Sequence, residues 1–458
     1  MNSVVRCSII GLAREGTALA RFLAERGSIV TVSDLRNEEE LRENTEKLKD
    51  LPIRYVLGGH PSEILDDADT LFLSPGVPLE APIVAEAKRR GVAISSETRL
   101  FTELCPAPII GVTGSSGKTT TVSLVGQMLK ASGFRTWVGG NVGRPLIGHL
   151  EEIEPTDKVV MELSSFQLEI MEWSPPIAAI LNITPNHLDR HLSMEAYTEA
   201  KLNILRFQQP GDVAILGYDL ISNLQSPISN LKSQILSFRL DGEVEEGAFL
   251  RDGKIILRLG DTERRICPAD EIRLLGRHNL ENVLAACAIA AVAGVSWKAM
   301  ADVATTFEGV EHRLELVREM GKAPAVRYYN DSIATSPERT VAALRSFEQP
   351  IVLLAGGRDK HLPWDEMARL TLQKARRLIL FGEAAPIIEN AIRVSSFGVR
   401  VSRDFIHRCQ TLDEAVTVAA REAEPGDVVL LAPGGTSFDA FRDFVERGER
   451  FRELLKAL

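Results

Sequence analysis

The sequence predicts an α/β protein of three domains, each a largely parallel sheet covered by helices. Three observations predict it. Short apolar runs alternate with helical apolar patterns along almost the whole chain, as parallel strands joined by crossover helices require. Many of those runs end in a glycine turn, the place where open α/β sheets meet ligands. The chain has 458 residues, too many for one ordinary domain, and its 45% hydrophobic content can fill several cores. The pattern divides the chain at 1–104, 105–308 and 309–458.

The first block opens with a strand over 5–10, the turn Gly11-Leu-Ala-Arg-Glu-Gly16 and a helix over 17–26. A second strand over 28–33 ends at Asp34. This is a Rossmann-like start in which Ala13 takes the place of the second fingerprint glycine. An acidic residue after the second strand usually meets a ribose or a base. The fragment fits either a nucleotide-like ligand or a purely structural βαβ turn. The run 71–77 repeats the arrangement, with Ser74-Pro-Gly76 as its turn.

The second block contains the most informative stretch of the chain, Thr113-Gly-Ser-Ser-Gly-Lys-Thr-Thr120. An apolar run precedes it, and Val122, Leu124, Val125, Met128 and Leu129 follow at helical spacing. Strand, glycine loop and helix start make a P-loop, so this domain is read as P-loop ATPase-like. Backbone N–H groups across Gly114, Ser115, Ser116, Gly117, Lys118, Thr119 and Thr120 can cradle phosphates. Lys118 can reach the outer phosphates, and the Thr119 hydroxyl can ligate Mg²⁺. Val112 stands at the generic first-glycine position, so the loop is a variant, T-G-x-x-G-K-T.

Glu162 closes the next apolar run, at a strand end suited to holding Mg²⁺. Asn182-Ile-Thr-Pro-Asn-His-Leu-Asp-Arg-His191 follows another such run. Its His187, Asp189 and His191 lack a zinc spacing, and a Mg²⁺ or phosphate contact fits better beside a P-loop. A helix over 195–205 holds Lys201, which by spacing alone reads as a surface lysine. The segment 235–273 reads as hairpins with a turn at Asp252-Gly253, and 279–293 as a buried helix.

The third block reads as a Rossmann-like doubly wound unit, with strands over 351–355, 377–381 and 427–431. Tyr329-Asn-Asp-Ser-Ile-Ala-Thr335, Gly356-Gly-Arg-Asp-Lys360 and the run from Pro433 to Phe444 each follow a strand. The last is expected to open a helix, where Ser437 and nearby N–H groups could hold an anion.

A net charge of −10 argues against nucleic acid as a main partner. No apolar run is long enough to span a bilayer, so membrane insertion is not expected. Five scattered cysteines without metal spacing suggest reduced thiols and a cytoplasmic protein.

Six motifs, in order along the whole chain, resemble the bacterial Mur ligases. They are Thr113-Gly-Ser-Ser-Gly-Lys-Thr119, Glu162-Leu-Ser-Ser-Phe-Gln-Leu168, His187-Leu-Asp-Arg190, His278-Asn-Leu-Glu-Asn282, His312-Arg313 and Asn330-Asp-Ser332. The resemblance is nearest to members that add glutamate to UDP-N-acetylmuramoyl-L-alanine. It implies an ATP-dependent amide ligase of peptidoglycan precursor synthesis, working through an acyl phosphate and expected to be a monomer.

By that resemblance Asp34, Arg36 and Ser74 bind the UDP end of the substrate, and Asn141 and Ser164 contact its muramoyl part or reacting carboxyl. Lys118 and Thr119 serve ATP and Mg²⁺, Glu162 and His187 are Mg²⁺ ligands, and Lys201 is carbamylated to serve a second Mg²⁺. Lys118, Glu162, His187 and Lys201 are thus the expected catalytic set. Asn282, Arg313 and Asp331 contact the adenine nucleotide. Thr335, Lys360, Ser437, Phe438 and Phe444 receive the amino acid.

One departure stands out. The family motif usually reads Asn-Asp-Ser-Lys-Ala-Thr-Asn, and here Ile333 replaces the lysine and Ser336 the last asparagine. D-glutamate is the expected amino acid. The same ligation with L-glutamate, or another Mur or folylpolyglutamate-type ligation, is the alternative. A P-loop switch without ligase chemistry and an NAD-dependent oxidoreductase fit the motifs less well.

Overall fold

The computed structural model describes residues 5–141, 143–185, 188–223, 231–396, 402 and 404–458. Among them the strands form three sheets. The chain divides into two compact units, one of Met1–Glu271 with Leu280–Thr305, the other of Ile272–Asn279 with Thr306–Leu458.

The first sheet belongs to the first unit. It is built from β1 (Arg6–Ile10), β2 (Ile29–Asp34), β3 (Ile53–Leu57), β4 (Thr70–Leu73) and β5 (Ala93–Ser95), in the order 3-2-1-4-5. All its pairings are parallel. The order reverses between β1 and β4, so the turns after these two strands flank a crevice. The first helix spans Arg14–Glu25 and begins three residues before the expected start. The reason is Gly16, where a Cβ would collide with the Gly11 carbonyl, so the glycine lets the turn itself enter the helix.

The second sheet, in the same unit, contains β6 (Ile109–Thr113), β7 (Thr136–Gly140), β8 (Lys158–Glu162), β9 (Ile177–Ile180), β10 (Val213–Gly217), β11 (Gln234–Arg239), β12 (Gly247–Arg251), β13 (Lys254–Leu259) and β14 (Thr262–Pro268). Its order is 14-13-12-11-10-9-6-8-7. The P-loop strand β6 therefore lies between β8 and β9, with Val112 opposite Glu162 and Thr113 opposite Ile180.

Hairpins were expected over 235–273, and only β12–β14 form them. Strand β11 pairs parallel with both β10 and β12. Gly247 permits that close return, since a Cβ there would strike the Ser237 carbonyl. The Asp252-Gly253 turn is as expected, with φ of +50° and +68° joining β12 to β13. On the edge strand β14, residues 262–265 are exposed, and a register shift between Lys254 and Ile256 interrupts its ladder.

One apolar core runs from the first sheet (Ile9, Val32) and Phe101 of the helix Glu97–Leu104 through Leu146 and Ile147 into the second sheet (Val159, Ile180).

The second unit carries the third sheet: β15 (Glu315–Met320), β16 (Val326–Asn330), β17 (Ile351–Gly356), β18 (Ala375–Phe381), β19 (Ile406–Arg408) and β20 (Val428–Gly434), in the order 15-16-20-17-18-19. Only the β15 pairing is antiparallel. Neighbouring strands β16, β20 and β17 deliver the third-block candidates to one end of this sheet. Among the described residues, no helix is long and apolar enough to cross a membrane.

Candidate active site

The P-loop helix spans Lys118–Ala131 and starts on Gly117, whose φ is +82°. A Cβ at Gly117 would collide with Asn282 Oδ1, which places buried Asn282 directly against the loop. The N–H groups of the first helical turn have no acceptor within the helix and suit an anion. Two N–H groups earlier in the loop are already engaged by Asn182. Ser115 N donates to its carbonyl (3.0 Å) and Ser116 N to its Oδ1 (2.9 Å). Lys118 Nζ donates to the Gly114 carbonyl (2.8 Å), folded back over its own loop. Thr120 is buried in the first turn.

Glu162 ends β8, where the parallel register brings it beside the loop. Its Oε2 accepts from Thr119 Oγ1 (2.7 Å) and its Oε1 from Asn141 Nδ2 (2.9 Å). Asn141 N also donates to the Glu162 carbonyl (2.8 Å). The chain approaches so closely there that a Cβ on Gly140 would strike that carbonyl. A hydroxyl and a carboxylate converging at a phosphate-binding loop are hard oxygen donors, the set Mg²⁺ takes alongside phosphates and water. His187 lies outside the described residues.

Lys201 is the main correction to a reading by spacing. It is not a surface lysine: its helix, Met194–Arg206, turns it inward and leaves it 1% exposed. Its Nζ donates to the Gly114 carbonyl (2.9 Å) and lies 4.7 Å from the Tyr197 ring centroid. Burial, then the neighbouring Lys118 ammonium, push its pKa down to about 7, against the pull of Glu162. A lysine in this state offers a neutral amine at physiological pH.

In the first sheet a cavity of about 360 Å³ is lined by Gly11, Asp34, Leu35, His60, Ser74 and Gly76, among others. Asp34 Oδ2 accepts from Leu12 N (2.7 Å) and Arg36 Nη2 (2.9 Å). Burial alone would raise its pKa, but the Arg36 and Leu12 hydrogen bonds hold it at about 2. Ser74 Oγ donates to the Gly11 carbonyl (3.2 Å). Ser164 caps the short helix Ser165–Leu168 in a capping box with Gln167. Gln167 Nε2 in turn donates to Glu15 Oε1 (3.1 Å) and Thr98 Oγ1 (2.9 Å).

In the second unit, buried Asp331 follows β16. Burial raises its pKa to about 6, opposed by Arg313 and by the N–H of Leu314. Thr335 and Lys360 follow β16 and β17, and Ser437 follows β20. The expected helix at Ser437 does not form. Strand β20 runs on to Gly434, and the helix begins at Phe444, capped by Asp443. Asp443 accepts from the orphan N–H of Glu446, whereas the chain after Ser437 closes only a single turn, in which Ala440 N and Phe441 N donate to the Ser437 carbonyl. Ser437 is buried, Phe438 is 60% exposed, and the Phe444 carbonyl accepts from Ser332 Oγ (2.8 Å).

Spacing missed Arg447, which is fully buried and donates to the Ser332 and Gly435 carbonyls. Its signal was its place on the apolar stripe Arg447, Phe451, Leu455, one inward face of a helix. Gln167, which pins the cap, stands three residues after Ser164 in the spacing of a capping box, whereas Asn182, which pins the loop, carried no separate signal.

Loop, strand-end carboxylate and three α/β sheets define a P-loop nucleotide-dependent enzyme. Residues 5–96 match the Mur ligase MurD-like N-terminal domain, 112–290 the Mur ligase middle domain and 312–435 the Mur ligase glutamate ligase domain. The UDP-N-acetylmuramoylalanine--D-glutamate ligase of Symbiobacterium thermophilum is 45% identical, across 99% of this chain and 98% of its own. That of Acetivibrio thermocellus is 43% identical, across 99% and 96%. Among solved structures, UDP-N-acetylmuramate-alanine ligase from Thermotoga maritima shares the fold, with TM-score 0.61, 20% identity and 99% of each chain covered. The chain belongs to the Mur ligase family, ATP-dependent enzymes that form amide bonds.

Proposed function

We propose that this chain joins D-glutamate to the carboxyl group of UDP-N-acetylmuramoyl-L-alanine, forming an amide with release of ADP and phosphate in peptidoglycan precursor synthesis. The carrying observation is full-length likeness, at 45% identity, to a relative that bears that activity in its name. The local chemistry supports it: a P-loop, a carboxylate and a buried lysine meet at the ends of the adjacent strands β6 and β8.

Residues 1–104 would bind the UDP end, with Asp34, Arg36 and Ser74. Residues 105–308 would bind ATP and the reacting carboxyl, with Asn141 and Ser164 on the muramoyl side. Residues 309–458 would bind the amino acid. The substrate carboxylate attacks the γ-phosphate of ATP, and the glutamate amine then displaces phosphate from the acyl carbon. Lys118 offsets the charge where two anions meet, Gly117, Thr119 and Thr120 at the helix start hold the phosphates, and Gly114, Ser115 and Ser116 form the loop around them. Asn282, Arg313 and Asp331 serve the nucleotide. Thr335, Lys360, Ser437, Phe438 and Phe444 serve glutamate.

Thr119 and Glu162 would hold one Mg²⁺, and His187 with a carbamylated Lys201 would complete a second site. When bound, the ions supply charge neutralisation at the phosphates. The neutral Lys201 amine can add to CO₂ and lose a proton, replacing a cation by a carboxylate. A cytoplasmic monomer suits a chain acting on these soluble substrates.

The test supplies UDP-N-acetylmuramoyl-L-alanine, Mg-ATP and each glutamate enantiomer, and measures phosphate. Release dependent on D-glutamate is expected. Release with L-glutamate alone reassigns the amino acid, and none with either overturns the ligase reading.

A further inference from the structure

Among the described residues, two cations near the carboxyl ends of β16 and β17, Arg339 and Lys360, have no carboxylate within ion-pair distance, although the charge of buried Asp331 reaches Arg339. Arg339 lies in the first turn of the helix Pro337–Arg345 and is exposed. Its Nη1 donates to the carbonyl of Ile333 (3.0 Å), which also accepts the N–H of Thr335 (2.8 Å). Arg447 makes the matching contact one residue earlier, from Nη2 to the Ser332 carbonyl (2.8 Å). Arg447 is wholly buried and engaged by backbone oxygens, so it shapes the loop and faces no ligand. Arg339 holds the next carbonyl with one N–H and keeps its Nε–Nη2 edge, the fork that fits a carboxylate.

Lys360 feels both arginines. Burial, then Arg339 and Arg447, lower its pKa below the usual lysine value. Asp331 offsets part of the Arg339 charge and Asp439 part of that on Arg447, and an arriving anion relieves the repulsion that Lys360 still feels. Ile333, where the family motif carries lysine, offers no cation of its own. Arg339 is hydrogen-bonded to Ile333 itself and returns a positive charge to that point of the loop.

We propose that Arg339 binds one carboxylate of the incoming glutamate, with Lys360 binding the other, in the role left open by Ile333. The assignment rests on the ligase reading above and names the residue that selects a dicarboxylic amino acid. A guanidinium paired with a carboxylate discriminates against glutamine, whose neutral amide forms no ion pair.

The test compares wild type, Arg339→Ala, Arg339→Lys and the double variant Ile333→Lys/Arg339→Ala in steady-state phosphate release. Arg339→Ala should raise the glutamate KM by about 10- to 100-fold, the worth of a charged hydrogen bond, with the ATP KM within about twofold of wild type. Arg339→Lys should fall between, and the double variant should recover most of the loss by supplying the cation from residue 333. An Arg339→Ala glutamate KM within about twofold of wild type overturns the inference, as does an equal rise in the ATP KM. No phosphate from wild type with either enantiomer overturns the ligase reading itself, and this inference with it.

Discussion

Two ammonium groups, those of Lys118 and Lys201, both donate to the Gly114 carbonyl. Such crowding favours loss of one proton, and burial selects Lys201, whose pKa falls to about 7. Lys201→Ala should lower kcat by at least about 100-fold, the scale of losing one charge-placing group. Short carboxylates such as acetate should restore part of the rate; an unchanged kcat in the variant would remove Lys201 from the mechanism. CO₂ uptake by the lysine should also increase as pH rises through about 7, because only the neutral amine adds. A ¹³C carbamate signal titrated with labelled bicarbonate reads this directly. Spacing showed little of this, and only the family resemblance singled Lys201 out. Lys201 sits on a helix whose inward face is set by strands far away in the chain, so spacing alone gave a surface lysine. Thr119 and Glu162 were legible because loop chemistry and a strand end are local signals.

The P-loop shows how one element can be both locally determined and dependent on a distant side chain. Gly117 has a left-handed φ and touches Asn282, from the helix Arg277–Val292. Gly117→Ala pays twice, with on the order of 1–2 kcal/mol for the backbone and a displaced Asn282 besides. ATP affinity should fall by more than tenfold and the melting temperature should drop; ATP titration of the variant checks both. Gly11 and Gly16 are the counter-example. They resemble a dinucleotide fingerprint, yet Gly11 faces Ser74 Oγ, 2.7 Å from where its Cβ would be, and Gly16 abuts the Gly11 carbonyl. Close packing of strand, turn and helix explains both. The parallel pairing of β11 with β12 was not legible, because alternation in a short strand does not say in which direction its neighbour runs. The late start of the last helix was missed for a related reason: Asp443 is a good cap, but Pro433-Gly-Gly-Thr-Ser is an equally good turn.

At the scale of the whole first unit, the first and second sheets share one core, and two carboxyls lie buried where they join. Burial raises Glu15 to about 7 despite Arg14 and Gln167, and burial with the nearby Glu15 raises Glu97 to about 8. The folded chain therefore binds these protons more tightly than the unfolded chain does. Stability from this pair is full below the ordinary glutamate range and is lost as pH climbs through 7 to 8. Glu97→Gln should flatten that decline, measured as urea midpoints between pH 5 and pH 9 (set at roughly unit steps to resolve each carboxyl). A decline as steep as in wild type would clear Glu97 of the effect. The three-sheet plan itself was legible throughout, since each βα repeat announces its own strand and helix.

The free rim at β14 has a consequence for how this protein behaves at high concentration. Its outermost residues, Thr262-Glu263-Arg264-Arg265, present both signs of charge, Glu263 pairs with Arg258 (2.8 Å), and the displaced register behind them bends the ladder. A second molecule seeking to extend the sheet by adding its own strand would have to desolvate those ions on a warped template, so fibril-like stacking along this border is discouraged.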